Sequence, residues 1–208
     1  MNEPLKDVVF LVADKDMENA LSGMLLHPKR LGIRSLSHSI FVHPRRDPGC
    51  RTECVGFLRP FARQYRHALV LFDYQGSGQE TRSLEVLQDE LEQELAKNGW
   101  ENRARVIIIQ PELEAWVWSN SPQVDYVLGW KDASTRLRTW LRLNGLLQQD
   151  AIKPQDPKEA MRQALREARK PLSSSLFRQI AEKVSLNRCQ DAAFIRLRET
   201  LQAWFPAD

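Results

Sequence analysis

Acidic residues close three apolar runs in the first half of this chain. Val8 to Ala13 runs into Asp14, Ala68 to Phe72 runs into Asp73, and Val106 to Ile109 runs into Gln110-Pro111-Glu112. Carboxylates gathered in one place hold hard divalent cations through oxygen, and a cation so held can activate a phosphate ester. The stretch Asp14-Lys15-Asp16-Met17-Glu18 supplies three such acids. Asp73 is followed by Gly76-Ser77-Gly78, whose glycines let a backbone approach a ligand or turn sharply. Pro111-Glu112-Leu113-Glu114 supplies two more acids, and a two-residue offset on a helix turns only one of them toward a common point. Ordinary structure offers a competing account of several of these residues. Asp16 suits a helix N-cap, Glu18 complements a helix dipole, and Asp73 can hydrogen-bond its own turn.

Basic residues stand close by in sequence. Arg45, Arg46 and Arg51 cluster after the second strand and would suit the backbone of a nucleic acid, while His43 could move a proton. A solvated arginine-rich loop is the plainer alternative. Cys50 and Cys54 sit four apart, but two thiols do not make a zinc site and His43 is poorly spaced to complete one. Gly76-Ser77-Gly78 has neither the lysine of a Walker loop nor the spacing of a nucleophile elbow. Binding of a small nucleotide there is a third, weaker reading. Trp116 and Trp118 read as core.

The elements that would position these groups follow from periodicity. Short apolar runs separated by helix-length polar stretches predict buried parallel strands at 7–13, 37–42, 68–72 and 105–110, the second resembling an edge strand. Helices are predicted at 17–26, 52–65 (bent or broken near Pro60) and 81–97, with 27–32 and 43–49 as loops. After Pro111 only helices are expected: 112–118, 124–128, 134–147, 157–169, 176–184 and 190–204. The expected fold is α/β, a mostly parallel four-stranded sheet sandwiched by helices over residues 1–120, with a helical lobe over 121–208 packed on it. In open sheets of this kind ligands bind beyond the carboxyl ends of the strands, where the acids fall.

Composition narrows the class. The 208 residues are 42% hydrophobic and 27% charged, ordinary for a globular chain, and no apolar stretch is long enough to span a bilayer. A polar, acidic start gives no expectation of a secretory signal, and three cysteines suggest no disulfide framework, so a reducing cytoplasm is expected. The net charge of +3 divides unevenly: residues 1–120 hold 15 Lys/Arg against 17 Asp/Glu, and residues 121–208 hold 15 against 10. A basic second part could contact phosphate backbone, or could be a solvated face.

Strand–acid–helix, strand–Asp–turn and strand–Pro-Glu-Leu-Glu-Ala-Trp together resemble the TOPRIM-like proteins of the RloB and overcoming-lysogenization-defect groups. They also resemble the small TOPRIM-like component of a methylation-associated defence system, which shares Asp47-Pro48-Gly49. The family's Glu-Gly-x-x-Glu motif corresponds to Asp14 through Glu18, its Asp-x-Asp to Asp73-Tyr74-Gln75, and its Phe-Glu-x-Trp to Leu113-Glu114-Ala115-Trp116. The resemblance implies an anti-phage, restriction-linked role. It implies Mg²⁺ or Mn²⁺ on Asp14, Asp73 and Glu114, Glu18 as base or partner, and nuclease-like action with Arg45, Arg46 and Arg51 on nucleic acid. Two departures stand out: Asp14 is one methylene shorter than the family's Glu, and Gln75 replaces the second Asp. The alternative they leave open is an inactive adaptor or sensor that binds other proteins of a defence complex.

Overall fold

A computed structural model describes residues 4–119, 121–184, 186 and 189–207. The first three residues of the polar N-terminus lie outside the described residues. Four strands form one all-parallel sheet: β1 (Lys6–Val12), β2 (His38–Val42), β3 (Tyr65–Asp73) and β4 (Ala104–Ile109), in the order β2-β1-β3-β4. Parallel sheets are covered on both faces, which is why Val8 to Val12 and Ala68 to Phe72 run apolar without alternation and are all buried. β2 is the edge strand its sequence suggested, and its residues are only partly buried.

The helices between strands are α1 (Lys15–Leu25), a short α2 (Pro28–Leu31), α3 (Arg46–Leu58) with a 3₁₀ turn at Arg59–Phe61, and α4 (Leu84–Leu95) with a final turn at Ala96–Trp100. β2 and β3 flank β1 on opposite sides. Right-handed crossovers therefore place α1 and α3 on opposite faces and make the gap between β1 and β3 the switch point of the sheet. Asp14 and Asp73 leave the sheet at that gap.

Two predicted loops contain helix. Within 27–32, Pro28 occupies the first turn of α2 and Gly32, at φ 75°, closes it in the left-handed conformation. Within 43–49, α3 begins at Arg46, because Pro48 falls in the first turn, where no intrahelical donor is missed. Gly49 is required by close approach: a Cβ there would lie 2.1 Å from Nδ1 of His43.

Beyond residue 113 the described elements are helical: α5 (Glu114–Val117), α6 (Pro122–Val127), α7 (Leu137–Leu143), α8 (Pro157–Glu167), α9 (Ser174–Lys183) and α10 (Ala192–Trp204). α9 packs on α1, α8 on α5, and α10 on β4. The apolar core is continuous across this boundary: Phe10 and Phe72 of the sheet share it with Trp118, Phe194 and Leu197. The indoles of Trp116 and Trp118 are anchored, on Asp191 Oδ1 at 3.0 Å and the Pro157 carbonyl at 2.9 Å. They are core residues and not stacking platforms. Among the described residues, no helix is long and apolar enough to cross a membrane.

Candidate metal centre

Asp14 begins α1. Its Oδ1 accepts the Asp16 and Met17 amides, both at 3.0 Å, so the N-cap is Asp14 and not Asp16 as the sequence suggested. The reason is register: β1 ends at Val12, and the chain turns into helix one residue after Asp14. Asp16 instead hydrogen-bonds Ser174 at the start of α9, and burial raises its carboxyl above the ordinary range. Glu18 forms a surface ion pair with Lys15 at 2.5 Å.

Asp73 is the last residue of β3 and is 8% exposed. Its Oδ1 is buried with no hydrogen-bond partner among the described residues. A buried, unpaired carboxylate is costly, and its proton affinity shows it: burial first, then the charges of Asp47, Glu114, Asp14 and Glu112, push Asp73 well above the ordinary range. Burial also raises Glu114.

Glu112 and Glu114 both turn inward, 8% and 7% exposed, against the expectation that only one could. Helix periodicity does not relate them, because α5 starts at Glu114 and Glu112 belongs to the turn before it. One carboxylate oxygen from each of Asp73, Glu112 and Glu114 lies within 4.8 Å of the others. Oxygens on opposite sides of one cation are about 4 Å apart for Mg²⁺ and about 5 Å for Ca²⁺, so this spread closes on a single ion with small side-chain adjustment. A buried acidic triad that could hold a metal ion is thus present, and the orphaned Asp73 oxygen fits that role. The set differs from the expected one by taking Glu112 in place of Asp14, which is spent on the α1 amides but remains near enough for its charge to act on Asp73.

Two neighbours of the triad escaped the sequence reading. Asp47, in the first turn of α3, accepts the Asp73 amide on Oδ1 at 2.8 Å and so ties α3 to the end of β3. Burial raises its carboxyl too. Lys158, in the first turn of α8, forms an ion pair with Glu112. Burial alone would depress the ammonium, but the hydrogen bond to Glu112 and the charges of Glu114 and Asp73 outweigh it and hold Lys158 protonated. A lysine 46 residues from its partner carries no local signal.

The arginines divide. Arg45 is committed to an ion pair with Glu53. Arg51 donates Nε to the Ser77 carbonyl at 2.7 Å, steadying the turn after Asp73. Arg46 lines an open cavity beside Asp14. His43 is 2% exposed, accepts the Arg45 amide on Nδ1 at 3.1 Å, and is held neutral mainly by burial. It acts as a packing block under α3. The Gly76 and Gly78 amides, which could have met a phosphate, are taken by the Glu80 carboxylate at 2.8 and 3.1 Å. Cys50 and Cys54 are buried free thiols.

The fold and site define an α/β protein with a carboxylate-rich centre at the switch point of a parallel sheet. No family model, no curated protein and no solved structure matches the chain.

Proposed function

We propose that this chain is a TOPRIM-like component of a bacterial anti-phage system, cytoplasmic, that breaks phosphodiester bonds of nucleic acid with a divalent ion. The observation that carries the proposal is the unpartnered, buried Asp73 oxygen inside a triad that spans 4.8 Å. Asp73, Glu114 and Glu112 would hold Mg²⁺ or Mn²⁺ by oxygen ligation. When bound, the ion would polarise a phosphoryl oxygen and steady charge on the leaving oxygen. The chain's own residues would do the rest. Asp47 fixes the end of β3, so that Asp73 keeps its aim. Lys158 offsets part of the negative charge that would otherwise repel a phosphate. Arg46 would bind backbone phosphate beside the centre.

The test is cleavage of phage or plasmid DNA and of RNA by the purified chain, alone and with the products of neighbouring genes, across divalent ions. Cleavage that needs Mg²⁺ or Mn²⁺ and is lost in Asp73→Ala supports the reading. No cleavage under any combination defeats it.

A second reading, an inactive adaptor or sensor for partner defence proteins, is favoured by the ammonium of Lys158. It already supplies Glu112 with a cation, as a degenerate site would require. Phage protection that survives Asp73→Ala and Glu114→Ala, together with co-purification of a defence protein, would select it.

A further inference from the structure

A separate opening adjoins the acid centre at the carboxyl ends of β1 and β2. It has a volume of about 360 Å³, and its lining includes Asp14, Lys15, Asp16, His43, Arg46 and Ser174. Sites for small molecules span about 300–1,000 Å³, so this one admits a single nucleotide-sized group and is too small to enclose a base pair. It is continuous in charge with the metal centre, since Asp14 acts on Asp73 and Asp16 acts on Glu114.

Its charges are sorted by depth. The cations are outermost: the Lys15 side chain, which shares its charge with Glu18 at the surface, is 69% exposed, and Arg46 is exposed. The acids lie deeper and are partly spent, Asp14 on the α1 amides and Asp16 on Ser174. Arg46 is the unusual member. Its backbone sits at φ 50°, a left-handed conformation that non-glycine residues seldom adopt and that concentrates at functional positions. Among the described residues its guanidinium makes no hydrogen bond or ion pair, whereas Arg45 and Arg51 on either side are both committed. A strained backbone that holds a guanidinium without a hydrogen-bond partner among the described residues, its charge shared with Asp16, at the mouth of a nucleotide-sized cavity is an anion receptor in form.

We infer that this cavity seats the terminal nucleotide of a single strand, with Arg46 and Lys15 on its terminal phosphate and Asp16 and Ser174 hydrogen-bonding the donors of its sugar or base. The inference rests on the phosphodiester reading above and narrows it, from nucleic acid in general to a single-stranded end. Seating the end nucleotide sets an adjacent phosphodiester toward Asp73.

The test measures binding by the full chain in EDTA, by fluorescence anisotropy of a short labelled single strand. Strands bearing a terminal phosphate at either end, hydroxyl-ended strands and blunt duplexes are compared, with a nucleoside monophosphate and its nucleoside as competitors. The terminal phosphate is expected to improve affinity by about tenfold or more, the scale of a charge-assisted contact. Duplex should bind at least as much more weakly, and only the phosphorylated competitor should displace the strand. Arg46→Gly, which suits the left-handed backbone and so preserves the fold, and the surface change Lys15→Glu should each erase the phosphate preference. Asp73→Asn should keep it. Equal affinity with and without the phosphate, wild-type binding by Arg46→Gly, or duplex bound as well as single strand would each overturn the inference. A free mononucleotide bound more tightly than the strand would also overturn it, in favour of a small-nucleotide site. The two readings fail separately. Metal-dependent cutting of closed circular DNA with no end preference removes the end seat and leaves the metal centre. End binding without any metal-dependent cleavage does the reverse.

Discussion

Replacing Asp73 by Asn should make the protein more stable at neutral pH while abolishing its response to divalent ions. Asp73 shares a pocket with Glu112 and Glu114, with oxygens within 4.8 Å of one another. At an effective dielectric near 20, two full charges at that distance repel by about 3 kcal/mol. Lys158 offsets Glu112, which leaves Asp47 and Glu114 as the main uncompensated neighbours. Glu114 is itself raised in pKa and shares the burden, so about 1–3 kcal/mol is the expected relief. The replacement also gains an amide N–H for a neighbouring carboxylate, and leaves the backbone bond to Asp47 untouched. For a chain of this size that is a rise in Tm of roughly 2–10 °C.

The pH dependence has a definite sign. Asp73 is raised in the fold, so between its unfolded value near 4 and its folded value the native state holds the extra proton, and stability falls as pH rises through that window. The gap between mutant and wild type should therefore vanish below about pH 4 and widen as pH rises above it. Calorimetric melts in EDTA, repeated with millimolar Mg²⁺ and Mn²⁺, read both effects. An Asp73→Asn variant that melts below wild type at the higher pH, or that gains as much from metal as wild type does, would refute the account.

Three other outcomes follow from the same geometry. Lys158→Met should lower stability in EDTA by about 1 kcal/mol, a figure already reduced because the lysine is 37% exposed, and added metal should restore more of its melting temperature than it adds to wild type. Asp14→Ala should cost about 1 kcal/mol through loss of the α1 cap while Asp14→Asn costs almost nothing, measured by urea unfolding; equal losses would deny the capping role. Burial pushes the Cys54 thiol up to about 11 and Cys50 further still, so a thiol reagent near pH 8 should label neither until the protein is unfolded, which mass spectrometry can follow.

The sheet was legible because buried parallel strands leave unbroken apolar runs. Asp14 and Asp73 were legible because they end such runs. What escaped depends on contacts distant in the chain. The 43–49 stretch reads as a loop from its prolines and glycine. Pro48 nonetheless fits the first turn of α3, and that early start brings Asp47 to Asp73, with Gly49 leaving room for the His43 ring. The inward turn of both Glu112 and Glu114 hangs on a helix boundary at Glu114, and boundaries are weakly encoded locally. Gly76 and Gly78 looked open to a phosphate until Glu80 was seen to fill them, a competition within the loop that composition does not rank.

The reach of α8 across the molecule has one more implication. Severing the chain near residue 120 would strip the carboxylates of the ammonium that balances them and bare the side of α1 that α9 shields. A fragment cut to the α/β portion would therefore report on a differently charged object. Negative assays on such a fragment say little about the intact chain.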